Sequence, residues 1–508
     1  MRSTFVGLET ARSAIVVNQL AQDVVANNIA NSETKGYTRQ RIERSSVAVS
    51  SYSSRVSTSS MGNTGTGVAA LGVSQIRDSF LDKSFRDEYS VNSSFSQTTD
   101  ILNDILKVFP DGADITDDSG LIGGLEGLYT NLNTFIQSPT SESEANLVKS
   151  SFTNITQILK QLDAGLTTVC QRQTENLQTT VTRTNDLLEQ IANLNKSIAG
   201  DASVMSNSQS QYFAPNELLD QRNLLLDELS SYGNISVKNN SDGTVSVEMG
   251  GQKVVDKGNF DSLSMNVDKN NYVNVVWRTT GDSVSLSGGS IRAYVNVLNG
   301  RGKNVQSNSE TPVQGIPYYR DRLDTFARAL ADVANSTIPA SVDASGKATS
   351  YKTLLSGYNL DGTKAAATTA ENISISNEWN TNGAGYIVYS KSENVEDYAQ
   401  LLSNRLFEES NTFSSYGESY KGTFSNYTIE MLGRIGTDVS FNKGRSEATA
   451  TIADDYLSSR DSASGVQQDE ETANMLIYQK SYQAAARLMT VMDDMLDTLI
   501  NGMGRVGR

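Results

Sequence analysis

The sequence predicts a multidomain α+β protein: a discontinuous coiled-coil domain from N- and C-terminal helices, a long helical-bundle middle domain, and an inserted β-rich outer domain. Three observations predict it. Apolar residues recur at gaps of three and four near both chain ends, a third run of the same kind fills much of 139–215, and after it, near 232–284, the period drops to two. At 508 residues the chain is long enough for about three cores. The expected domains are 1–75 with 445–508, 76–231 with 310–444, and the insertion 232–309.

In order, the first element is a helix from residue 4 to about 31, with Leu8, Ala11, Ile15, Val25 and Ile29 on one stripe. Asn18 and Gln22 interrupt that stripe, and Ala14, Val17, Ala21 and Val24 form a second apolar edge. Two edges exceed what one neighbouring helix covers. Ser32, Thr34 and Gly36 stop the helix, and a Ser/Thr/Val stretch to Gly67 reads as loop and extended chain.

The middle run places Ile155, Leu159, Leu162, Leu166 and Val169 in one heptad phase with Leu187, Ile191, Leu194 and Ile198. One helix of about 55 residues, roughly 80 Å long, accounts for them and implies a rod-like molecule. Helical text also occupies 217–229 and 318–333. Between those two, Thr244 to Met249 alternate after the turn pair Asp242 and Gly243, and a second turn is expected from Asp268 to Asn271. Residues 341–422 are irregular and rich in Ser, Thr, Asn and Gly, with strand-like pieces such as 385–389. The last element is a coiled-coil seam of Tyr478, Ser481, Ala485, Leu488, Met492, Met495 and Leu499. It opens on Asp469, Glu470 and Glu471, where free amides and the helix dipole favour carboxylates, and Gly502 and Gly504 let it end.

Composition removes most functional classes. The net charge of -16 leaves no basic field for nucleic acid or anionic lipid. The absence of histidine removes the commonest general base and zinc ligand, and one cysteine, Cys170, forms no internal disulfide or CxxC pair. No run approaches the ~18 apolar residues that span a bilayer, so no membrane insertion is expected. Glu9 and Arg12 break any signal-peptide core. The glycines of 62–67 lack the spacing and lysine of a phosphate loop. Asp111, Asp114, Asp117 and Asp118 lack the alternation of an EF-hand and read as a solvated loop, while Asp493, Asp494 and Asp497 read as a wet helix face. No catalytic, cofactor or metal site is expected, and the chain reads as a non-enzyme. A secreted adhesin with a helical stalk is the alternative.

Two stretches are more specific than any period: residues 26–40, which contain Asn27, Asn28, Asn31, Thr34, Gly36, Tyr37, Arg39 and Gln40, and residues 469–499. Together they resemble the flagellar rod, hook and hook-associated axial family, whose signature is an ANNxAN helix end followed by TxGY. Tyr37 to Gln40, Asn216 to Arg222 and Leu323 to Ala327 are similar to its hook-associated members, as are Gly65 to Val68, Ile76 with Arg77, and Ser464 to Val466. The resemblance implies a structural subunit of the hook-filament junction, with another axial rod or hook protein as the alternative within the family, exported without a cleavable signal peptide, whose terminal helices self-associate in a ring. It also implies contacts with the hook protein and with hook-associated protein 3, and an export chaperone on Leu488 to Leu499. Asn27, Asn28 and Asn31 are suited to satisfy backbone groups at the helix end, with Gly36 allowing a turn and Tyr37 anchoring it.

Overall fold

A computed structural model describes residues 5–47, 67–112, 120–205, 215–269, 271–303, 307–342, 348–390, 397–415 and 418–502. The glycines of 62–66, Asp114, Asp117, Asp118 and Gly504 lie outside them, as does the side chain of Leu499. The described chain is mostly helical, with small separate sheets. It divides into two compact units, 1–89 with 185–262 and 450–508, and 90–184 with 263–449.

The first unit holds α1 (Phe5–Ala30), the hairpin β1 (Gln40–Ser46) and β2 (Val68–Gln75), α5 (Asn216–Tyr232) and α11 (Gln468–Asp497). It also holds the start of α2 (Ser79–Leu106) and the ends of α4 (Glu142–Met205) and α10 (Phe424–Ser464). Its sheet is antiparallel, in the order β3 (Ile235–Asn239), β4 (Val245–Met249), β5 (Gln252–Asp256), β6 (Asn259–Phe260). The Asp242–Gly243 turn joins β3 to β4 as the sequence predicts, with Gly243 at φ 77°. Val245, Val247 and Met249 alternate inward and are buried with Leu226 and Leu229 of α5. Asn195, fully buried on α4, pins that helix to the sheet: it bonds both backbone groups of Val245 (2.8 and 3.1 Å), the Lys257 carbonyl and Arg222.

The second unit holds α3 (Leu121–Gln137), most of α4, the hairpin β7 (Leu263–Val267) and β8 (Val273–Trp277), α6 (Ser290–Leu298) and α7 (Ile316–Asn335). Beyond α7 come β9 (Pro339–Val342) with β10 (Ala348–Tyr351), β11 (Leu355–Gly357) with β12 (Ile373–Ile375), and α8 (Asn377–Asn382). Then follow α9 (Tyr398–Phe407), the hairpin β13 (Thr412–Ser415) and β14 (Glu418–Lys421), and the start of α10. Its core is aromatic around Phe326, which meets Phe424 edge-on at 5.1 Å, while Phe413 stacks on Tyr427 at 4.2 Å.

Several expectations change. The middle helix is 64 residues long, not about 55, and of its predicted seam only Leu194 is incompletely buried. The β-rich text of 232–309 forms two sheets, one in each unit. Residues 384–386 are a 3-10 turn rather than a strand; beyond it Ile387 is buried and the Tyr389 ring packs on Phe135 and Tyr398. Asp111 is not solvated. It is buried, and its two carboxylate oxygens accept from the backbone N–H groups of Leu121 and Ile122, capping α3.

Candidate assembly interface at the chain termini

The termini meet through α1 and α11. On α1 the deeper stripe draws on both predicted edges, Ala11 and Val25 from the first and Val17, Ala21 and Val24 from the second, together with Asn28; Leu8, Ile15 and Ile29 are only half-buried. On α11 the residues of the expected seam differ in burial. Ala485 is buried, Tyr478 and Met492 are half-buried, and Leu488 and Met495 are exposed at 44% and 60%. Gly7 allows a close approach here, since a Cβ on it would lie 2.0 Å from Met492 Cε. The Arg44 guanidinium lies 4.6 Å over the Tyr478 ring.

At the other end of the pair, the Asn-rich motif forms a closed polar network. Asn28 is fully buried, and every bond its amide can make is used. Its Nδ2 donates to the Gln40 carbonyl (2.9 Å) and to Glu471 Oε2 (3.0 Å), and its Oδ1 accepts from the Gln40 N–H (3.0 Å) and the Tyr37 hydroxyl (2.9 Å). Asn27 donates to the Tyr37 hydroxyl, while Asn31 reaches back to the Asn27 carbonyl and side chain and accepts from Thr34. The Thr34 carbonyl then accepts from the Tyr37 N–H at 3.1 Å, and Gly36 turns the chain at φ 81°. A side chain at Gly36 would also meet Leu224, 2.6 Å from its Cγ.

Two further residues, Arg39 and Thr38, fix the strand that follows. Arg39 pairs with Glu470 at 2.8 Å and with the buried Glu471 at 2.7 Å, while its N–H donates to the Ser464 carbonyl. Thr38 donates from N–H and hydroxyl to Asp220 of α5, which also accepts from Gln75. Burial pushes the Asp220 carboxyl up, against these bonds. Burial, and next the Asp220 charge, push the Tyr37 phenol to about 12, so it remains a donor to Asn28 throughout the physiological range.

All eight motif residues therefore lie in or beside one network. Their partners Glu471 and Asp220 were visible in the sequence only as a helix-start carboxylate and as part of a motif. The 443-residue separation of Asn28 and Glu471 left no local signal.

The outer side of α11 is different. Leu476, Ile477, Leu488, Val491 and Met495 are all exposed, as is Val16 on α1. Among the described residues, nothing covers these apolar side chains.

Comparison with known proteins decides what such termini belong to. A Bacillus subtilis flagellar hook-associated protein 1 is 30% identical over 532 aligned positions, covering all of both chains. The chain belongs to the flagellar hook-associated protein 1 family. A Salmonella typhimurium member is 21% identical over 97% of this chain and 98% of its own. The family's helical-domain model, described as flagellar hook-associated protein FlgK helical domain, matches 113–351. Models of the flagella basal body rod protein and of the rod FlgEFG protein C-terminal match 8–38 and 457–502, the two segments joined by the Asn28 network. The solved flagellar hook junction protein FlgK of Burkholderia pseudomallei shares the fold, with a TM-score of 0.55 at 13% identity over 75% of this chain and all of that one. The chain is thus a structural flagellar protein, active in flagellum assembly and motility. No described helix is long and apolar enough to cross a membrane.

Proposed function

We propose that the chain joins hook to filament by self-association of its terminal helices, segments 1–75 and 445–508 acting as the polymerisation domain. The observation that carries this reading is the exposed apolar face of α11, held in a fixed orientation by the Asn28 network. Copies that assemble around a common axis bury such a face, each against a neighbour. Asn27, Asn28, Asn31, Thr34, Gly36, Tyr37, Arg39 and Gln40 act as its positioning residues. The half-buried Leu8, Ile15 and Ile29 finish the inner side.

The immediate neighbours are the hook protein below and hook-associated protein 3 above. Before assembly, an export chaperone covers Leu488 to Leu499, and the chain leaves the cell through the flagellar channel without a cleavable signal. The family resemblance and the exposure of Leu488 and Met495 support these partners. The test is a strain lacking the gene, viewed by electron microscopy with assay of filament protein in the medium. Finished hooks without filaments, and filament protein shed to the medium, are expected. Missing hooks indicate a rod or hook subunit instead, and normal filaments overturn the reading.

A further inference from the structure

The first unit contains a cleft of about 440 Å³ beside the terminal network, whose Gln75 lines one edge of it. Its size is that of a specific ligand cleft, roughly 300–1,000 Å³. It opens between β2, the start of α2, α5 and the β3–β4 hairpin. The apolar lining comes from Val73, Leu219, Ile235 and Val237, with Gln75 and Asn239 among its amides.

Its charge is unlike that of the chain. Arg77, Lys83, Arg86 and Arg222 line it against a single acid, Asp82, in a protein of net charge -16. Asp82 holds Arg77 at 2.6 Å, Asp227 holds Arg86 at 2.7 Å, and Arg222 donates to Asn195 and the Gly243 carbonyl. Lys83 is the exposed base. The cleft therefore suits an apolar segment edged with carboxylates.

We infer that its occupant is the C-terminal half of α11 from a second copy of this chain. That segment is chemically complementary. Leu488, Val491 and Met495 fall on one exposed stripe, and Asp494 borders it, with Asp493 and Asp497 farther round the helix. Residues 485–500 carry three acids and one base, Arg487. The contact is heterologous, so each copy offers its cleft to one neighbour and its α11 to another, and the series closes into a ring or continues as a helix. This inference rests on the self-association proposed above.

The test uses full-length protein in cells building flagella. A photo-crosslinking residue at position 83 is expected to join residues 488–500 of another copy; a crosslink elsewhere, or none, overturns the inference. Lys83→Glu and Asp494→Lys are each expected to lower incorporation into flagella by roughly tenfold, the scale of one interfacial charge pair, and the double swap to restore it. Unchanged incorporation in the single variants, or no restoration with normal circular dichroism, overturns it. A crosslinker at Val491 separates the two readings. If it captures a second copy while position 83 does not, self-association stands and the cleft assignment falls; if neither does, both fall.

Discussion

Helices α7 and α11 are both amphipathic, yet they end differently. Over 20 residues α7 buries 11, among them Tyr319, Leu323, Phe326 and Leu330, whereas α11 over 30 residues buries only Glu471 and Ala485. The first is held by an apolar core. The second is held at one end by charge-assisted hydrogen bonds from Asn28 and Arg39, and along its length by half-buried contacts. One helix completes a domain, while the other is aimed by a polar clamp and leaves its apolar face exposed.

The largest expected effect breaks the first half of that contrast. Phe326→Ala empties the aromatic centre of the second unit and is expected to cost about 3–5 kcal/mol, read as a fall in thermal midpoint and denaturant stability. Arg39→Ala tests the clamp. It leaves Glu471, 2% exposed, without its arginine, and should cost about 3 kcal/mol, seen as early proteolysis at the termini while the second unit resists. If Arg39→Ala instead leaves the termini as protected as in the native protein, the clamp is not what orients α11.

A smaller effect belongs to pH. Burial pushes the Asp321 carboxyl on α7 up to about 6, although Arg301 lies 3.0 Å away and works in the opposite direction. In the unfolded chain the same carboxyl titrates near ~3.9. The folded state therefore holds the proton over that interval, and this group's contribution to stability falls as pH rises from about 4 to about 6. Asp321→Asn should flatten thermal midpoints measured across that window, and an unchanged slope would assign the pH dependence to other groups.

Much of this was legible in the sequence. Heptad text gave α1, α4 and α11, and the residues of 26–40 that carry the family resemblance meet in one network. What stayed hidden has physical reasons. Periodicity reports that a face is apolar but not what covers it, so Ala485 and Leu488 looked equivalent while one is buried and the other exposed. Asp111 looked solvated because a cap ten residues away in sequence carries no local pattern. Helix α10 runs 41 residues through Gly433, Gly436 and Gly444, which local propensity argues against. Alternation identified the strands of 235–277 but not that they belong to two sheets in different units.

The most direct measurement of the central claim uses the double variant Leu488→Ser with Met495→Ser, scored for thermal midpoint and for filaments attached to hooks. Both side chains are exposed in the chain, so stability should change by no more than ~0.5 kcal/mol while filament attachment is lost. Normal attachment, or a loss of stability on the scale of Phe326→Ala, would contradict the account.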